Sequence, residues 1–522
     1  MLAVGVALGA AIAFAAGGGD PAPQGGAAPR TAAVVDPKGK PERVPRRPHV
    51  VLLIMDEFPA DALLGRGGRI DAVRYPNFAA LAGNAHWFPN AYASYDSTPK
   101  AIPLILDGLR PILHNPPTRR GHPRSIYDMF GRRGYRIVNS EESTALCPRR
   151  LCPGAPVRRP SSLRNMRKGR AERLEAFFRR IRPGRPSFYM KHMLLPHDPQ
   201  QYLPSGRRTR AGARDLIPTM NGTSGFHDRF LTQHNHQRFL LQLGFVDREL
   251  GKLLRRLVRL DLFDKTLIVL LADHGKALSE VGVLDRRKVN ERNVDEVAPV
   301  PLLIKAPGQR RGRVNRAYAQ TLDVTPTIAD VLGFRLGYRA HGRSAFSRRV
   351  RARRSVRLPT RVFFRIIRIS ARRYEARRRR NVRRALRLFG AGADGLFTGI
   401  GPNRGLLGRR AADVAQGPRS SVTGRIVAAG RLRRVRRASG ILPTQIVGPL
   451  RGGPRGAKRD VAVAVNGRIE AVGRTWYLRR GRREHFAFNV PERSLREGRN
   501  RVEVFEVDRR GRLRLLVRWA RR

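Results

Sequence analysis

Two apolar runs that end in acids constrain this chain more than any other feature. The first is His49-Val50-Val51-Leu52-Leu53-Ile54-Met55-Asp56-Glu57; the second, Thr266-Leu267-Ile268-Val269-Leu270-Leu271, delivers Asp273-His274-Gly275. Continuous apolarity without alternation is the pattern of a strand buried on both faces, as in sheets covered by helices on each side. Pro301-Leu302-Leu303-Ile304 is a third such run. Helical patterns lie between them. Pro99 suits a first-turn position after Thr98, and Phe239, Leu243, Val246, Leu250, Leu253 and Leu257 stripe a long amphipathic helix over 228–260. This alternation predicts an α/β fold, a layered domain with a central, mainly parallel sheet. In such sheets ligand-binding groups gather beyond the carboxyl ends of the strands, where both acidic pairs fall.

The rest of the chain divides by texture. Residues 1–19 hold an uncharged apolar run, Leu2 to Ala16, of signal-peptide length and shorter than a full membrane span. It reads as a signal-like or partial transmembrane segment and predicts an extracytoplasmic protein, secreted or membrane-anchored. Residues 20–48, rich in Pro, Gly and Ala, read as a linker, and 49–345 as the layered α/β domain. Residues 346–420 read as an arginine-rich helical connector, with 18 arginines between Arg348 and Arg387. From 421 to 522 short strands dominate, with Asn466-Gly467 as a hairpin turn signal. They predict a small C-terminal β-sandwich-like domain.

The net charge is +65, almost all of the excess being arginine. Such a charge points to polyanionic partners, although an arginine-biased coding composition produces the same excess. The dense run at Arg348–Arg387 exceeds that background. It predicts docking on an anionic lipid or cell-envelope polymer, with membrane association, in preference to nucleic acid; a solvated connector is the alternative. The two cysteines, Cys147 and Cys152, stand five apart. They suit a small disulfide loop in an oxidising compartment, and two buried thiols are the alternative.

Acids bunched at strand ends repel one another unless a cation or protons neutralise them. Asp56, Glu57, Asp273 and His274 together offer hard oxygens and an imidazole, a set suited to zinc, manganese or magnesium, with calcium a further candidate. Thr98 opens a helix and reads from spacing alone as an N-cap. A neighbouring metal would instead make its hydroxyl a nucleophile. His192 and His197 flank a short segment at a strand end, with Tyr202 beyond. A histidine there either contacts a transferred group and its leaving oxygen or bonds the backbone.

Several ordered blocks carry a resemblance. They are Val51 to Glu57; Pro89-Asn90-Ala91-Tyr92-Ala93 leading to Thr98 and Gly108; Leu195-Pro196-His197-Asp198-Pro199; Ala272-Asp273-His274-Gly275; Val300 to Gly308; Asp323-Val324-Thr325-Pro326-Thr327; and Gly342-Arg343-Ser344. Over 49–345 the chain resembles the sulfatase and alkaline-phosphatase-like superfamily, in the style of bacterial members that move phosphate-linked groups between lipids or polymers. The resemblance implies Asp56, Glu57, Asp273 and His274 as metal ligands, with Thr98 as nucleophile also touching the metal. It implies His197 on the transferred group and Lys100 as an anion-binding side chain. Classical sulfatases carry cysteine or serine at the nucleophile position, then proline two residues on and arginine four on; this chain has Thr98, Lys100 and Ile102. A threonine Cβ bears a methyl group and cannot become the formylglycine aldehyde. The expected activity is therefore phosphoryl or phospho-alcohol transfer. The alternatives are a sulfuric ester hydrolase or phosphodiesterase on a soluble substrate, and a non-catalytic envelope or polyanion-binding protein.

Overall fold

The computed structural model describes residues 47–519, except 113, 155–159, 210–227, 280–287, 361–364, 393, 394, 399, 455 and 478–482. The signal-like segment and all but the last two residues of the linker lie outside the described residues. Among the described residues no helix is long and apolar enough to cross a membrane. The chain forms two compact units, one of residues 1–197, 246–276 and 287–379, the other of 198–245, 277–286 and 380–522.

The first unit is built on seven strands: β1 (His49–Asp56), β2 (His86–Trp87), β3 (Arg136–Ser140), β4 (Ser187–Pro196), β5 (Thr266–Ala272), β6 (Leu302–Lys305) and β7 (Arg313–Val314). Their order is β3-β4-β1-β5-β6-β2-β7. The pairs β3–β4, β4–β1, β1–β5 and β2–β7 are parallel, and β6 is antiparallel to both of its neighbours. Every residue of β1, β4 and β5 is buried; the apolar runs of β1 and β5 require it, and in β4 the burial extends to Lys191 and His192. Register places the site. Met55 pairs with Ala272 and Asp56 with Pro196, so Asp56, His197 and Asp273 leave the sheet at one end.

Five helices of the first half follow the expected alternation: α1 (Pro76–Ala82), α2 (Thr98–Asp107), α3 (Ile126–Gly131), α4 (Ser162–Arg167) and α5 (Arg170–Arg179). In α1, Asp247 satisfies the first-turn donors, accepting from the backbone of Asn77 and Phe78 at 3.0 and 2.8 Å. The long stripe forms α6 (Arg229–Arg259), whose start Asp228 caps by accepting from Leu231 N at 2.9 Å. Cys147 and Cys152 are joined as a disulfide.

The arginine-rich stretch is not helical throughout. It begins with the short α7 (Arg348–Arg351), continues as an antiparallel ribbon of β8 (Ser355–Pro359) and β9 (Ile366–Ser370), and ends in α8 (Ala371–Phe389). The ribbon has a local cause: Val356, Leu358, Ile367 and Ile369 are buried while Arg357 and Arg368 between them are exposed, a period of two. In the second unit the C-terminal strands form two four-stranded sheets, a compact β-rich region. Asn466 (φ 52°) and Gly467 (φ 86°) turn its central hairpin with the left-handed pair that a type I′ turn demands.

Candidate active site

Parallel pairing carries on past the strands: Asp273 N donates to Met55 O at 2.9 Å. Asp273 Oδ1 then accepts from the backbone N–H of His274 at 2.7 Å and of Glu57 at 3.3 Å. One carboxylate oxygen thus locks the ends of β1 and β5 together, leaving Oδ2 directed elsewhere. His274 Nδ1 lies 3.0 Å from Gly275 O, which makes Nδ1 the protonated nitrogen and leaves the Nε2 lone pair for the site. A Cβ on Gly275 would meet the carbonyl oxygens of Glu296, Val297 and Pro299 at 2.7–3.1 Å, so only glycine lets this turn pack.

Thr98 comes from α2. Ser97 takes the cap position without a side-chain cap bond, and Thr98 is the first helical residue. Its hydroxyl lies 3.3 Å from Asp56 Oδ1 and 3.3 Å from His274 Nε2. The N-cap position that spacing suggested for Thr98 is held by Ser97, and the Thr98 side chain joins the acids.

Asp56, Asp273 and His274 each present a ligand atom, all within 4.8 Å of one another and all buried. Burial pushes the Asp56 carboxyl up to about 7, with the charge of Asp273 adding to the effect. Asp273 is also pushed up to about 7 by burial, against the pull of the backbone hydrogen bonds from His274 and Glu57. Asp273 Oδ2 is buried and makes no hydrogen bond of ordinary geometry, with His274 Nε2 at 3.5 Å. Two buried carboxylates, one of them with an unsatisfied oxygen, and a lone-pair nitrogen are a donor set that fits a divalent cation.

Glu57 differs from the expected ligand role. Its carboxylate is buried between Lys276 Nζ at 2.9 Å and His197 Nε2 at 3.2 Å, and it is not among the three residues able to share one ion. Lys276 supplies the neutralising charge there, so Glu57 has no electrostatic need of a metal. Sequence reasoning missed Lys276, although it directly follows Asp273-His274-Gly275. His197 is fixed from behind by the buried Arg170, whose Nη1 donates to its carbonyl at 2.7 Å.

The remaining expected site residues have other surroundings. Lys100 donates to the carbonyls of Ile112 and Asn115 at 2.7 and 2.8 Å, tying down a loop. His192 lies in the interior of β4 with Nδ1 3.4 Å from Ser143 Oγ, and burial pushes it down to about 3, so it is neutral. Tyr202 lies in the second unit, its ring stacked on Phe245 at 4.2 Å between centroids.

The family model described as Sulfatase matches residues 48–334, more than half of the chain. The chain belongs to the sulfatase family. Within curated sulfatase relatives the likeness is local. A choline-sulfatase of Rhizobium meliloti (strain 1021) is 34% identical over 110 residues, 20% of each chain. The multifunctional alkaline phosphatase superfamily protein PehA of Trinickia caryophylli is 33% identical over 101 residues, 19% of each. The chain thus spans about one fifth of the length of these curated relatives. Among solved structures it is similar to a phosphonate monoester hydrolase of Agrobacterium radiobacter, at 16% identity and a TM-score of 0.44, covering 60% of this chain and 80% of that one.

Proposed function

We propose that this sulfatase-family chain is a metal-dependent hydrolase of phosphate or sulfate esters, with phosphate esters the favoured class and Thr98 the nucleophile. The convergence of the Thr98 hydroxyl with Asp56 and His274 Nε2, at 3.3 Å from each, carries this reading. Asp56, Asp273 and His274 would hold the cation, with Thr98 beside it. A divalent cation bound there supplies positive charge that polarises ester oxygens and makes an alcohol a better nucleophile.

Thr98 Oγ1 attacks phosphorus, forming a bond to Thr98 as the bond to the substrate's alcohol oxygen breaks. The hydroxyl proton passes to Asp56 Oδ1, and His197, held by Glu57, protonates the departing alkoxide. Water then attacks the same phosphorus and gives its proton to the now neutral His197; as the bond to Oγ1 breaks, the proton held on Asp56 returns to Oγ1, so that Thr98, Asp56 and His197 are all restored. The β-methyl of threonine supports phosphate over sulfate, because it blocks the formylglycine hydrate of classical sulfatase chemistry. The sulfatase and phosphatase names of the matched relatives favour hydrolysis over the transfer to a second alcohol that the sequence suggested. The Cys147–Cys152 disulfide supports a site of action outside the cytoplasm.

The test is a panel of aryl phosphate monoesters, phosphodiesters and sulfate esters assayed with and without added divalent metal. Metal-dependent release from a phosphate ester, lost in Thr98→Ala and partly kept in Thr98→Ser, is the expected result. Full activity of Thr98→Ala, or turnover of sulfate esters alone, contradicts it.

A further inference from the structure

Two groups of arginines stand out in the 348–387 stretch. One faces inward and is paired: Arg353 with Asp323, Arg377 with Asp295, and Arg378 with Asp61 at 2.6 Å. These bind the segment to its own fold. The other population lies along the outer face of α8, where Tyr374, Arg378, Val382 and Phe389 form the buried stripe.

On that outer face Arg372, Arg373, Arg380, Arg383 and Arg387 are exposed, and among the described residues none of these five side chains has an ion-pair partner. Arg379 lies on the same face. The helix holds a single acid, Glu375, which pairs with Arg379 and accepts from the Tyr318 hydroxyl. Helical spacing puts the five on one side, in a row roughly 22 Å long at 1.5 Å rise per residue. The ribbon that leads into the helix repeats the pattern: exposed Arg357 and Arg368 face each other directly in register, a like-charge pair that destabilises a sheet unless an anion sits between.

We propose that the outer face of α8 docks on the surface of an anionic phospholipid bilayer. Guanidinium forks bind phosphate oxygens in pairs, and a row of them without intervening acids meets the closely spaced phosphates of lipid headgroups. The exposed row carries no aromatic side chain, as stacking on single-stranded nucleic acid would need. Nor does it carry the large apolar residues that insert an interfacial helix into the acyl region. Binding is therefore electrostatic and superficial, and falls with salt.

The experiment sediments the full chain with vesicles of phosphatidylcholine alone or with one third phosphatidylglycerol. It compares a variant with Arg372, Arg373, Arg380, Arg383 and Arg387 all changed to Gln against a control in which exposed Arg419, Arg431, Arg451, Arg509 and Arg510 are changed to Gln. Both lose the same charge. The expected result is binding to the anionic vesicles only, weakened at least about tenfold in the α8 variant and about twofold or less in the control. Equal losses in the two variants would assign the effect to net charge and overturn the proposal. So would unsubstituted protein that binds a soluble polyphosphate but not the vesicles. If the α8 variant fails to fold, a salt titration of the unsubstituted chain decides: vesicle binding that persists unchanged at high salt overturns an electrostatic surface.

Discussion

Asp56 and Glu57 are adjacent, both acidic and both buried, yet they end in opposite electrostatic situations. Glu57 is compensated from within, by Lys276 at 2.9 Å and His197 at 3.2 Å. Asp56 faces a second buried carboxylate, Asp273, and burial together with that neighbour's charge pushes the Asp56 carboxyl up to about 7. A fold that neutralises one of two neighbouring acids and leaves the other among its own kind sets Asp56 apart from Glu57 as the candidate ligand. The lesson is that a ligand is recognised by charge left unbalanced, and position next to another ligand does not suffice.

The sharpest way to break this contrast is to neutralise each side in turn. Asp273→Asn should abolish stoichiometric metal, read by elemental analysis, and lower turnover on the order of 10³-fold or more, the scale of losing a principal electrostatic element. Glu57→Gln should keep the metal and lose activity only through looser placement of His197. Loss of the metal in Glu57→Gln, with Asp273→Asn still loaded, would invert the assignment. Lys276→Met acts on stability instead, because it strands Glu57 as a buried charge. It should cost about 3–5 kcal/mol of unfolding free energy in a denaturant titration while metal content is preserved.

Much of this was legible in the sequence where one physical term dominated. Full burial of β1 and β5 made their apolar runs conspicuous, and parallel register then had to bring Asp56 and Asp273 to one end. The stripe of α6 and the Asn466-Gly467 turn were equally plain. What escaped depended on tertiary pairing. Lys276 looks like any surface lysine until Glu57 is placed beside it. Lys100 stands only two residues from Thr98, but side chains two apart on a helix do not share a face, and this one reaches the carbonyls of Ile112 and Asn115. The β8–β9 ribbon was hidden because the density of arginine masks the period-two alternation of Val, Leu and Ile. Tyr202 had a stacking partner, Phe245, that no spacing announces.

In the proposed reaction the Thr98 hydroxyl receives the substrate's phosphoryl. Intact-mass measurement after acid quench of metal-loaded protein with a slowly hydrolysed phosphate ester tests this most directly. The predicted result is a mass increase of one phosphoryl group that peptide mapping places on Thr98 and that Thr98→Ala lacks. An adduct on any other residue, or turnover that survives in Thr98→Ala, would contradict it.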